Sequence, residues 1–158
     1  MDIKDLLMLC ISQKASDLHL TENEPAILRI DGKLHRTEHG PFDKQRLKMM
    51  IYSVLTNAQK EMFEKNLELD FSLALPSMDR FRVNIHQQKG SVEAAFRRVP
   101  IVIPKVEDLG LPPVAIELAR KPNGLVLVTG PTGVGKTTTL AAMLNLINEE
   151  REVLIICI

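Results

Sequence analysis

The chain has 158 residues, 45% of them hydrophobic, with 20 basic and 20 acidic residues and a net charge of zero. That length suits one ordinary domain or two small ones, domains of about 100–150 residues being commonest. The neutral total gives no sign of a nucleic-acid partner, and 4% aromatic content offers few stacking platforms for one.

The hydrophobic content argues against disorder. No apolar run approaches the roughly 20 residues that span a bilayer, and the charged start Met1-Asp2-Ile3-Lys4-Asp5 does not read as a signal peptide. A cytoplasmic protein without a transmembrane segment is expected. Cys10 and Cys157 lie in apolar stretches at opposite ends and read as packing thiols. His19, His35, His39 and His86 are scattered without metal-ligand spacing.

In chain order, Ile3, Leu6, Leu7, Cys10 and Ile11 recur at helical spacing over residues 3–14. Ser16-Asp17-Leu18-His19-Leu20 reads as a short strand with Leu18 and Leu20 on one face. Asp31-Gly32 between residues 26–30 and 33–36 is a hairpin signal. Residues 43–54 carry Leu47, Met50, Ile51 and Val54 on one helical stripe, and Thr56 with Gln59 forms a capping box ahead of a helix over 57–66.

The period then changes to two. Leu69, Phe71, Leu73 and Leu75 alternate with polar positions, as do Phe81, Val83 and Ile85, and a third strand runs through Val92, Ala94 and Phe96. Residues 1–100 therefore read as a small α+β domain with a sheet of about five strands. Pro100, Pro104, Pro112 and Pro113 mark 101–113 as an extended linker. After a short helix at 114–120, the expected pattern is strand (125–129), glycine-rich loop (130–135), helix (136–148) and strand (153–158). That is the opening βαβ of an α/β domain spanning 114–158.

Gly130-Pro131-Thr132-Gly133-Val134-Gly135-Lys136-Thr137 matches G-x-x-x-x-G-K-[ST] in full. Glycines let successive backbone amides wrap a phosphate, and the helix beginning at Lys136 adds its positive end. Lys136 reaches the β- and γ-phosphates, and the Thr137 hydroxyl is placed to ligate Mg²⁺. Thr138 either lies near the phosphates or satisfies backbone groups of the first turn. The motif sits between an apolar strand and a helix, so a nucleotide is the expected ligand, the alternative being a glycine-rich turn with an incidental lysine.

Between residues 80 and 105 the bases are Arg80, Arg82, Lys89, Arg97, Arg98 and Lys105, and the single acid is Glu93. Such a patch is either a solvated sheet face or an anion site, and arginine suits phosphate because its planar fork donates two bonds at once. Beside a phosphate loop, the functional reading is charge supplied to a γ-phosphate, in cis or from a neighbouring subunit.

At this point the chain resembles the secretion-superfamily hexameric ATPases, and within them the family that retracts type IV pili in twitching motility. Ser16-Asp17-Leu18-His19-Leu20 resembles the SDLHL signature, and Pro25 with Leu28-Arg29-Ile30-Asp31-Gly32-Lys33-Leu34 resembles the family's hairpin. Asp79-Arg80-Phe81-Arg82-Val83-Asn84 and Phe96-Arg97-Arg98-Val99-Pro100 resemble its arginine strands. Glu107-Asp108-Leu109-Gly110-Leu111-Pro112 and the segment from Gly124 to Gly133 resemble its approach to the phosphate loop.

The resemblance implies an α+β PAS-like N-terminal domain followed by the start of an α/β RecA-like P-loop ATPase core. It implies a hexamer that turns over ATP with Mg²⁺ and acts at the inner membrane through a platform protein of the pilus. It also implies that Arg82 and Arg97, with Arg80 less directly, act near the γ-phosphate beside Lys136. Many relatives carry arginine where this chain has Lys89 before Gly90, which keeps the charge and loses the fork.

The short segment before residue 16 favours the retraction type or its close paralogue over pilus-assembly and type II secretion ATPases. Relatives continue past residue 158 with an acidic box that supplies a catalytic glutamate. The 158-residue chain alone is therefore expected to be a fragment, inactive by itself. The competing function class is a non-catalytic assembly or interaction module built on the PAS-like domain.

Overall fold

The computed structural model describes residues 2–76, 79–131 and 133–157. The chain divides into two units, Met1–Ile101 and Val102–Ile158.

The first unit begins with helix α1 (Ile3–Ser12), whose amino end is closed by a reciprocal capping box between Asp2 and Asp5. Strands β1 (Asp17–Leu20), β2 (Ile27–Ile30) and β3 (Lys33–Arg36) follow. Helix α2 (Lys44–Tyr52) is capped by Asp43, and α3 (Asn57–Asn66) by the expected Thr56–Gln59 box. Strands β4 (Glu68–Ala74), β5 (Arg80–Gln88) and β6 (Ser91–Val99) complete the unit.

All strands join one antiparallel sheet in the order β3-β2-β1-β6-β5-β4. The sheet has six strands rather than about five. The weakest signal is β3, an edge strand of four exposed residues with no alternation of burial. Two hairpins turn on residue pairs with positive φ, Asp31 with Gly32 and Lys89 with Gly90. These left-handed pairs match the right-handed twist of the flanking strands.

Period-two alternation sorts the sheet into two faces. Leu18, Leu20, Leu28, Phe81, Val83, Ile85 and Phe96 pack into one core with Leu6, Leu7 and Cys10 of α1, Leu47 and Ile51 of α2 and Phe63 of α3. Burial pushes the Cys10 thiol up to about 11. The opposite parity carries Asp17, His19, Arg82, Asn84 and Arg97, and so makes a polar face.

The second unit contains a 3₁₀ turn (Val106–Leu109), helix α4 (Pro113–Ala119) and helix α5 (Lys136–Glu150). Val106, Ala119, Ala142, Met143 and Leu146 form its core, and Arg120 forks onto the Glu150 carboxylate. The stretch expected as an extended linker thus carries a turn, and its Val106 is buried in this core.

The strands expected at 125–129 and 153–158 form no ladder among the described residues. Leu125 is 82% exposed and Leu154 is 87% exposed. A parallel strand needs a neighbouring strand to pair its backbone groups, and these two segments do not pair with each other. Their apolar runs carry the composition of buried strands without the partners. Cys157 shares this environment and is exposed, so it is not the packing thiol expected of it.

Candidate functional site

In the second unit, the loop 130–135 is shaped by three glycines with positive φ: Gly130 at 150°, Gly133 at 87° and Gly135 at 90°. L-residues rarely adopt such values, so the residue types and the loop geometry are one constraint. Gly135 is the amino cap of α5, and the Thr139 amide donates to its carbonyl oxygen at 2.8 Å. The first-turn amides of a 15-residue helix therefore face the loop.

Lys136 Nζ donates to the carbonyl oxygens of Gly130 at 2.8 Å and Pro131 at 2.7 Å, which folds its ammonium over the loop. Pro131, Gly133, Val134, Thr137 and Thr138 are exposed, and the two threonine hydroxyls make no hydrogen bond among the described residues. Thr132 lies outside the described residues. Free helix amides, a glycine-shaped turn and an ammonium on one loop suit a phosphate chain. An exposed hydroxyl at Thr137 suits a hard cation beside it.

In the first unit, the arginines sit on the polar face. Register places Arg29 opposite Asp17, Asp17 opposite Arg97, and Arg97 opposite Arg82, so four charged residues form one row across β2, β1, β6 and β5. Asp17 is 6% exposed. Its Oδ1 accepts from Arg97 Nε at 2.9 Å, and its Oδ2 accepts from Ser16 Oγ at 2.7 Å and lies 3.4 Å from Arg29 Nε.

Burial pushes the Asp17 carboxyl up, but the bonds from Ser16 and Arg97 outweigh it and hold the group below the ordinary carboxylate value. Beside it, burial lowers the His19 imidazole. Asp17, His19, Asp70, Arg82, Asn84, Ala95 and Arg97 line a cavity of about 330 Å³. Arg82 is exposed and forms no ion pair or hydrogen bond among the described residues.

Arg98 turns the other way. It pairs with Asp79, which also accepts from the Ile101 amide at 3.0 Å, and burial of this carboxyl is outweighed by the two donors. Of the basic residues between 80 and 105, Arg82 and Arg97 are thus brought together, while Arg98 serves the opposite side of the strand. Asp17 was missed as a functional candidate by pattern reading. The available signal was parity: with Leu18 and Leu20 on the core face, Asp17 and His19 must share the polar one.

Compared with known proteins, residues 1–158 match the family described as type II/IV secretion system protein. The type IV pilus retraction ATPase PilT of Pseudomonas aeruginosa is 42% identical over 151 residues, covering 96% of this chain and 44% of that protein. A twitching motility protein of Neisseria gonorrhoeae is 41% identical over 123 residues, covering 78% of this chain and 33% of the relative. The crystal structure of the pilus retraction motor PilT with bound ADP superposes with a TM-score of 0.75 at 40% identity, covering 94% of this chain and 43% of that one. The chain therefore spans less than half the length of each of these relatives.

Proposed function

The chain belongs to the type II/IV secretion system protein family, and we propose that it supplies the phosphate loop and the arginine face of an ATP-hydrolysing motor that retracts type IV pili. In this reading the first unit is PAS-like and the second is the opening of a RecA-like core. The working assembly is a hexamer at the cytoplasmic side of the inner membrane that engages a platform protein of the pilus. No helix among the described residues is long and apolar enough to cross a membrane.

The observation that carries the proposal is the glycine-shaped loop opening α5 with Lys136 folded over it. Residues 130–138 bind the nucleotide: loop and first-turn amides take the β- and γ-phosphate oxygens. Lys136 exchanges the Gly130 and Pro131 carbonyls for phosphate, a stronger charge-assisted partner. Thr137 would hold part of the shell of Mg²⁺, which would supply charge neutralisation at the transferring group. Arg82 and Arg97 then stabilise charge that builds on the γ-phosphoryl oxygens, electrostatic help that acts chiefly in the transition state.

The roles separate experimentally in the full-length protein. Lys136→Ala is expected to abolish nucleotide binding and hydrolysis together. Arg82→Ala is expected to keep ADP affinity and lower the hydrolysis rate about 10³-fold or more, the scale of a lost arginine finger. Unchanged nucleotide affinity in Lys136→Ala would remove the phosphate-loop assignment, and unaltered hydrolysis in Arg82→Ala would remove the arginine assignment.

A further inference from the structure

We infer that Asp17 is a positioning residue for Arg97: it grips the guanidinium by Nε and leaves the two terminal nitrogens of the fork free to meet an anion. The inference rests on the arginine reading above and adds the group that aims the arginine.

Three observations carry it. The first is how the carboxylate divides its bonds. Oδ2 is committed to Ser16 Oγ and the Arg29 side, so only Oδ1 is left for Arg97, at 2.9 Å from Nε. A carboxylate that met Arg97 with both oxygens would take the fork itself. Here the terminal nitrogens of Arg97 make no hydrogen bond among the described residues, and its side chain is 71% exposed.

The second is rigidity. Arginine has large rotamer freedom, but Asp17 is buried on β1 and held by a neighbouring hydroxyl. It sits in direct register with Arg97, so the sheet ladder sets the distance between the two backbones. A long, exposed side chain thereby acquires a fixed root.

The third is charge order along the row. Arg29, Asp17, Arg97 and Arg82 occupy adjacent strands in that sequence, about 4.8 Å apart from strand to strand. Asp17 offsets the repulsion between Arg29 and Arg97 on one side. On the other side Arg97 and Arg82 stand as neighbours with no acid between them. An anion presented to the face finds two forks there, one anchored by Asp17 and one with no partner among the described residues.

The test is a double-mutant cycle on ATP hydrolysis by the full-length protein, using Asp17→Asn, Arg97→Ala and the double variant, with KM and kcat separated. The isosteric Asp17→Asn keeps shape and removes the charge. It is expected to lower kcat roughly 10-fold or more, the effect of losing the partner that orients a functional side chain, and to leave KM near its original value. The double variant should be no slower than Arg97→Ala, because Asp17 acts only through that arginine.

Two results overturn the inference while sparing the arginine reading. One is normal kcat in Asp17→Asn although Arg97→Ala is slow. The other is a double variant whose loss is the product of the single losses, as a general structural role gives. Normal kcat in Arg97→Ala overturns the arginine reading and the inference with it.

A second measurement needs no variant. In the unmodified chain the Arg97 Nε–H nuclear magnetic resonance signal should exchange with water much more slowly than that of Arg82. Equal exchange rates overturn the inference.

Discussion

Gly135→Ala isolates what the loop geometry contributes to nucleotide binding. Gly135 has φ 90° and ψ 12° at the amino cap of α5, and a Cβ built there meets no heavy atom within 4 Å. The substitution therefore introduces no collision, and its whole cost is backbone conformation, about 1–3 kcal/mol for an L-residue held in such a region. The free loop relieves that strain by turning away from the cradle geometry. The bound loop cannot, so the cost falls on binding and the affinity for ADP should drop about 5- to 150-fold.

Calorimetric titration with ADP is the assay, and Gly32→Ala is the control. Gly32 also has positive φ, 79°, with nothing within 4 Å of an added Cβ, but it sits in the β2–β3 turn of the other unit. It should lose a similar amount of stability and keep its nucleotide affinity. Wild-type affinity in Gly135→Ala, or an equal loss in Gly32→Ala, would refute the argument that the left-handed cap is the binding conformation.

Other outcomes follow from burial and charge. Cys10 is buried with its thiol raised to about 11, whereas Cys157 is exposed. A thiol reagent at neutral pH should therefore titrate one cysteine in the native chain and two in denaturant. The folded Asp17 carboxyl titrates below its ordinary value of 3.8, so its stabilising effect is present above that value and lost as pH falls through the lower folded one. Melting temperatures of wild type and Asp17→Asn should differ near neutrality, and the gap should close as pH falls below 3.8 towards the lower folded value. A gap that persists in acid would deny the carboxylate that role.

How much of this was legible depended on the range of the interactions involved. Helix α3 could be read closely because its signal is local: Thr56 and Gln59 are three residues apart and cap the same turn they announce. Alternation along β5 was equally local, and it sorted Phe81, Val83 and Ile85 from Arg82 and Asn84.

The phosphate loop is the strongest case, since its glycines, lysine and helix start lie in one run of sequence. The strands at 125–129 and 153–158 were the opposite case. Their residues suit a buried strand, but a ladder is made by a partner that composition does not supply.

Asp17 and Arg97 were both in view as members of separate motifs. They are 80 positions apart, and only the pairing of β1 with β6 brings them together. Adjacent Arg97 and Arg98 also looked like one patch until the pleat sent them to opposite sides.

The Asp79 clasp bears on mechanics. It ties the residue just before β5 to Arg98 and to the Ile101 amide, where the chain leaves β6 for the second unit. β6 is an interior strand, bonded to β1 on one side and β5 on the other. Tension arriving along the backbone at that point loads β6 lengthwise, at right angles to its interstrand bonds. Two rows of bonds must then slide together instead of parting one at a time like a zip. A covalent exit from an interior strand, locked at its end by a carboxylate, makes this end of the sheet resist a pull on the chain beyond Ile101.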